Sequence, residues 1–126
     1  MKNILISFFL FFIMIFGILF SLNAMDKVYS ELETLNRRLE QSIQEDNWEK
    51  SILVINEISD KWQKHSNQLS IFLNHAELDN INSELAKLSQ YVIHKNKEES
   101  MSSLHVIKFF FKHTLDIEKI SLGNIF

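Results

Sequence analysis

The chain of 126 residues contains no cysteine and no proline, only two glycines, and arginine only at Arg37 and Arg38. Without cysteine there are no disulfides, no thiolate zinc sites and no lipid-modified cysteine behind a leader. With proline absent and glycine confined to Gly17 and Gly123, few turn-makers remain. That poverty fits long helices and argues against an all-β domain. Also missing are a glycine-rich phosphate loop, a G-x-S-x-G elbow and an H-E-x-x-H pair. No catalytic set is legible, and no enzyme, cofactor or metal is expected.

What is present begins with residues 4–22, ILISFFLFFIMIFGILFSL, which carry no charge from Ile4 to Leu22. At about 1.5 Å of rise per residue, such a helix nearly matches a hydrocarbon core of about 30 Å. The run exceeds the roughly 7–15 residues of a signal-peptide core. Leu22-Asn23-Ala24 is also a poor cleavage site, because leucine is larger than the pattern prefers. The expectation is an uncleaved signal-anchor over residues 1–25 and an extracytoplasmic helical domain over residues 26–126. Lys2 and the α-amino group flank one side, and Lys27, Arg37 and Arg38 the other. The short N-terminal tail favours a cytoplasmic N-terminus and a single pass through the cell membrane, with the domain outside.

Residues 26–126 amount to one domain. Leaving out Lys2, twelve basic residues face sixteen acidic ones, a formal charge of −4. A domain of that sign, without a basic patch, is a poor match for nucleic acid or anionic headgroups.

Apolar residues recur at helical spacing. Val28, Leu32, Leu35, Leu39 and Ile43 form one stripe, and nothing separates it from the anchor, so one helix is expected from about residue 3 to 44. Glu45-Asp46-Asn47 breaks the pattern, with Asp46 and Glu49 at capping-box spacing. Trp48, Ile52, Ile55, Ile58 and Trp62 make the second stripe. It runs on through His65, Leu69, Phe72 and Ala76, then changes face to Leu78, Ile81, Leu85, Leu88 and Val92. Either a turn near Asn74 or one long bent helix produces that rotation, and residues 64–67 are another place for a break. Asn96 and Glu99 repeat the cap spacing ahead of Met101, Leu104, Ile107, Phe111 and Leu115. The apolar tail, with Ile117, Ile120, Leu122, Ile125 and Phe126, is expected to dock on the bundle, with Gly123 available for a left-handed turn.

The fold expected is all-α: a transmembrane helix continuing into a stalk helix, then a small antiparallel helical bundle. Its core should include Leu35, Leu39, Ile52, Ile55, Trp62, Leu85, Leu88, Leu104, Ile107 and Phe111. A weak internal repeat sets Asn47 to Ser51 on Asn96 to Ser100, and so Ile55 on Leu104, Ile58 on Ile107 and Trp62 on Phe111. Helix hairpins stacked like tetratricopeptide repeats are therefore an alternative arrangement.

One polar constellation stands out. His75 and Asp79 share a helix face at i, i+4. In a hairpin turning at Asn96, Asp79 lies seventeen residues before that point and His113 seventeen after it. The favoured reading is a buried polar clamp between Asp79 and His113. The alternative is a zinc or other divalent site from His75, Asp79 and His113. His65, His94 and His105 have no partner pattern and belong on solvated faces.

Asn47-Trp48-Glu49-Lys50, Trp62 with His65, and His75-x-Glu77-Leu78-Asp79-x-Ile81 belong to a wider pattern. With Leu85-x-x-Leu88 and the ending Ser121-Leu122-x-Asn124-Ile125-Phe126, they resemble a small single-pass family of low-GC Gram-positive anaerobes. That family is domain of unknown function 4363. The resemblance spans essentially the whole chain and implies an N-terminal anchor, a helical domain and no established activity. The expected function is a membrane-tethered interaction module of the cell envelope, held by residues 4–22, whose partner is another envelope protein or itself. The alternative is a small sensor with a ligand pocket among Trp48, Trp62, Phe72 and Phe109 to Phe111.

Overall fold

The computed structural model describes residues 1–70 and 73–124, excluding the side chains of residues 69, 118, 121 and 122. The described residues form four helices and no strand: α1 (Lys2–Gln44), α2 (Trp48–Leu69), α3 (His75–Ile93) and α4 (Lys97–Gly123). The long first helix is unbroken, because no proline, glycine pair or cap interrupts it between the uncharged run and Gln44. Most of the large side chains in its first twenty residues stand in the open: Phe8, Phe12, Phe16 and Phe20 are each at least 60% exposed. By length and composition this is a candidate membrane span.

From Met25 onward α1 joins a bundle. It packs on α2 and α4, and α3 packs on the same two helices, so the four close into a ring of antiparallel neighbours. An open tetratricopeptide stack would leave the first and fourth helices apart, and here they touch. The core is made by Leu32, Leu35, Leu39 and Ile43 of α1, Val54, Ile55, Ile58 and Trp62 of α2, Leu78 to Val92 of α3, and Leu104, Ile107 and Phe111 of α4. Of the core expected from sequence, only Ile52 is demoted: it is half-buried, packed against the cluster. The buried face of α2 keeps Ile55, Ile58 and Trp62 of the expected stripe and takes Ser51 and Val54 in place of Trp48 and Ile52.

The repeat is structural. An offset of 49 residues carries the first hairpin, α1 beyond Val28 with α2, onto the second, α3 with α4. α1 ends with Asp46 at φ 57° and α3 with Lys95 at φ 56°. Asp46 N–H donates to Ile43 O and Asn47 N–H to Ser42 O, while Lys95 and Asn96 make the same pair of bonds to Val92 and Tyr91. This is the Schellman closure, which satisfies carbonyls that a helix end would otherwise strand. The next residue starts the following helix: the Asn47 side chain accepts from Lys50 N–H, and that of Asn96 from Glu99 N–H. The cap is thus Asn47, not Asp46, which is spent on the left-handed turn. α2 ends at Leu69 and α3 begins at His75, with Asn74 accepting from Glu77 N–H as the third cap. Two separate helices replace the single bent one.

A left-handed conformation costs a non-glycine residue about 1–2 kcal/mol. Asp46 recovers part of this by pairing with Lys97 at 3.2 Å, whereas Lys95 makes no side-chain bond among the described residues. Lys95→Gly is therefore expected to raise stability by about 0.5–1 kcal/mol, after glycine's own entropy loss. A chemical-denaturation midpoint that falls would contradict the turn assignment.

The tail does not turn. α4 continues to Gly123, which has no positive φ, and its cap Asn124 stays right-handed. Leu115 and Ile117, on this last stretch of α4, find cover on the bundle. Ile71, Phe72, Ile125 and Phe126 lie outside the described residues.

Candidate functional site

Asp79, His113 and His75 are all exposed. No hydrogen bond or ion pair joins Asp79 to His113 among the described residues; the His113 ring lies parallel to Phe109 at 5.8 Å between centroids. Nor does any group of three His, Cys, Asp or Glu among those residues converge as a metal site. The clamp and its metal variant are therefore not assembled. Equal counts from the turn set height along two helices, but azimuth is set by phase. The α3 face that meets the core is Leu78, Ile81, Leu85, Leu88 and Val92, which leaves Asp79 outside it. On α4, Phe111, Thr114 and Leu115 are buried, and His113 falls between them on the outer side. In the 49-residue register, Asp79 and His113 correspond to Ser30 and Lys64, which both line an open groove between α1 and α2 of about 480 Å³.

The aromatic pocket is filled by its own walls. Trp62 is 2% exposed and packs on Phe111 with ring centroids 5.2 Å apart. Its indole N–H donates to Asn82 Oδ1 at 2.9 Å, so the polar handle is satisfied. The void beside this pair is about 20 Å³, room for one water and no ligand. Phe109 points to solvent, Phe110 is half-buried, and Phe72 lies outside the described residues.

What the structure offers instead is a pair of related grooves. One, between α2 and α3, is floored by Leu85 and flanked by Trp62, Gln63, Asn82 and Ala86. The 49-residue offset turns these into Asn36, Phe111, Lys112, Glu33 and Arg37, and those residues line the groove between α1 and α4, of about 250 Å³. The first is neutral and the second is charged, with Arg37 bonded to Glu33 at 2.6 Å and Lys108 paired with Glu40. Beneath it Asn36, 1% exposed, replaces leucine in the core layer, and its Oδ1 has no hydrogen-bond partner among the described residues. The sequence stripe through Leu35 and Leu39 had bypassed Asn36. The spacing Tyr29, Leu32, Asn36, Leu39, Ile43 marks it as a seam position. A second polar pair lies at the far end, where Ser42 and Ser51 hydroxyls bond at 2.8 Å. Its counterpart in the other hairpin is Tyr91 with Ser100, and the Ser100 hydroxyl is unpartnered among the described residues.

His65 is half-buried with its ring edge-on to Trp62, not on a solvated face. Burial pushes its pKa below the ordinary histidine value. The unfolded chain then takes up this proton before the folded one does. Stability from His65 is complete above the unfolded pKa near 6.5 and falls as pH drops from there through the folded value. His65→Gln should flatten that acid limb of a stability–pH profile; an unchanged limb would assign it to other groups. Elsewhere, burial and the Glu33 charge raise the Tyr29 phenol. The hydrogen bond to Asp26 raises Lys119.

Fold and grooves together define a class: a closed antiparallel four-helix bundle of two like hairpins, entered through a long apolar helix. A family model covers residues 19–125, and the chain belongs to that family, Domain of unknown function (DUF4363). No curated protein and no solved structure matches it.

Proposed function

We propose that the chain is a single-pass, membrane-tethered interaction module of the cell envelope, without catalytic activity, that binds another envelope protein or a second copy of itself. The observation that carries this reading is the exposure of the uncharged run on the same unbroken helix that builds the bundle. An apolar surface of that size is untenable in water and at home in lipid. The rigid continuation of α1 would hold the bundle at a fixed place beside the bilayer. The residues available to a partner are polar grooves and scattered apolar side chains such as Leu53 and Phe109, which suit protein contact better than capture of a small molecule. Lys2 beside the span favours a cytoplasmic N-terminus and an outer bundle.

Crosslinking in intact membranes followed by purification tests the module: one stoichiometric protein partner, or a crosslinked homodimer, is expected. Recovery of the bare monomer, with thermal stabilisation by a small molecule instead, would replace it with a sensor. For orientation, a cysteine placed in residues 45–47 should react with a membrane-impermeant reagent in intact cells. Labelling only after lysis would reverse the topology.

A further inference from the structure

The seam of α1 that faces the bundle does not stop where the uncharged run begins. Ile43, Leu39, Asn36, Leu32, Tyr29, Met25 and Leu22 alternate at spacings of four and three, and all are buried or half-buried. The same spacing continues to Ile18 and Ile15, both half-buried, while Phe16, Leu19 and Phe20 beside them are 74%, 55% and 70% exposed. α4 runs up this side. Leu115 and Met25 are buried together, with Leu22 packed against the pair, and Lys119 Nζ lies 2.8 Å from Asp26 Oδ1. The helices are antiparallel with the same rise, so each residue further along α4 lies level with one residue earlier in α1. The Leu115–Met25 and Lys119–Asp26 contacts bracket the register, so Ile120 lies level with a point between Phe20 and Met25, near Leu22. A run of nineteen uncharged residues fills the hydrocarbon core, which puts Leu22 at its edge and Met25 about 5 Å outside it. That is the interfacial layer. Ile120, 62% exposed, faces away from the bundle there.

We propose that the C-terminal end of α4, Lys119 to Gly123, lies in the interfacial layer of the bilayer that holds residues 4–22, with Ile120 against lipid and the Asp26–Lys119 pair at headgroup depth. The inference rests on the tethering reading and adds a second contact to it. Lipid is the occupant because this surface is continuous with the apolar run and level with its end. An isoleucine gains from leaving water there, and the lysine stem can lie along apolar surface with its ammonium at the polar layer. Two seats on one bilayer, α1 through it and α4 on it, would fix the tilt of the bundle and the face it turns to a partner.

The chain has no native cysteine, so a single introduced cysteine carries a unique label. Full-length Phe12→Cys, Ser102→Cys and Ile120→Cys are labelled with an environment-sensitive fluorophore and reconstituted in phosphatidylcholine vesicles. Quenching is then compared between lipids spin-labelled near the headgroup and aqueous iodide. The label at position 120 should emit to the blue of that at 102, be quenched by the shallow spin label and lose most of its iodide quenching. Position 102, at the far end of the bundle, should show the reverse. Iodide quenching at 120 equal to that at 102, with position 12 still shielded in lipid, overturns this inference and leaves the tether standing. Iodide access at position 12 removes the tether and this inference with it. A label at 120 shielded from both quenchers means protein covers it, which also overturns the proposal.

Discussion

Trp62→Ala should lower the stability of the bundle by about 3–5 kcal/mol, measured by denaturant titration of the detergent-solubilised chain. The side chain is 2% exposed, packs on Phe111 at 5.2 Å and donates its N–H to Asn82. Truncation leaves a large cavity, removes the hydrogen bond to Asn82 and removes the aromatic contact that joins the two hairpins across the α2–α4 diagonal. A loss of that size is a large share of the ~5–15 kcal/mol typical of a domain. Trp62→Phe keeps most of the volume and should cost less. A change under about 0.5 kcal/mol for the alanine variant, as at surface sites, would place Trp62 outside the core.

Asn36→Leu should act in the opposite direction and stabilise the bundle by about 1–3 kcal/mol. Its Oδ1 is buried without a partner among the described residues, and the equivalent layer of the second hairpin holds Leu85. Leucine there removes an unsatisfied acceptor and adds apolar burial of the kind already accommodated on the other side of the pseudo-symmetric bundle. The natural asparagine then has a reason other than stability. In coiled coils a single polar seam residue can fix register between helices, and Asn36 occupies such a position beneath the α1–α4 groove. If Asn36→Leu destabilises by a similar amount, the amide has a partner that this account lacks, and the charged groove above it becomes the place to seek one.

The helices were legible because their cause is local. Five apolar residues spaced by threes and fours define each stripe, and Asn47, Asn74 and Asn96 each open a helix by accepting from the N–H three residues on. The continuity of α1 could be read from the missing breakers between Leu22 and Gln44. The repeat was visible at its caps, and the structure extends it to the Schellman turns, where Asp46 and Lys95 sit in a conformation that neither side chain advertises. The polar clamp failed because chain counting fixes height and leaves azimuth to whichever residues win the core. Leu78 and Ile81 won on α3, so Asp79 was turned outward. Asn36 escaped notice for the converse reason: a stripe drawn through apolar residues skips the one seam position that is polar. The ring closure of α4 on α1 joins residues far apart in sequence, such as Glu40 with Lys108 and Asp26 with Lys119, which no local pattern shows.

The central claim is that α1 is retained whole and carries the bundle at a membrane. The most direct test is the intact mass of the protein recovered from the membrane fraction of its own cells. The account predicts a membrane-bound species that contains residues 4–22. A mature species that begins at Met25 or beyond, released to the soluble fraction, would contradict it.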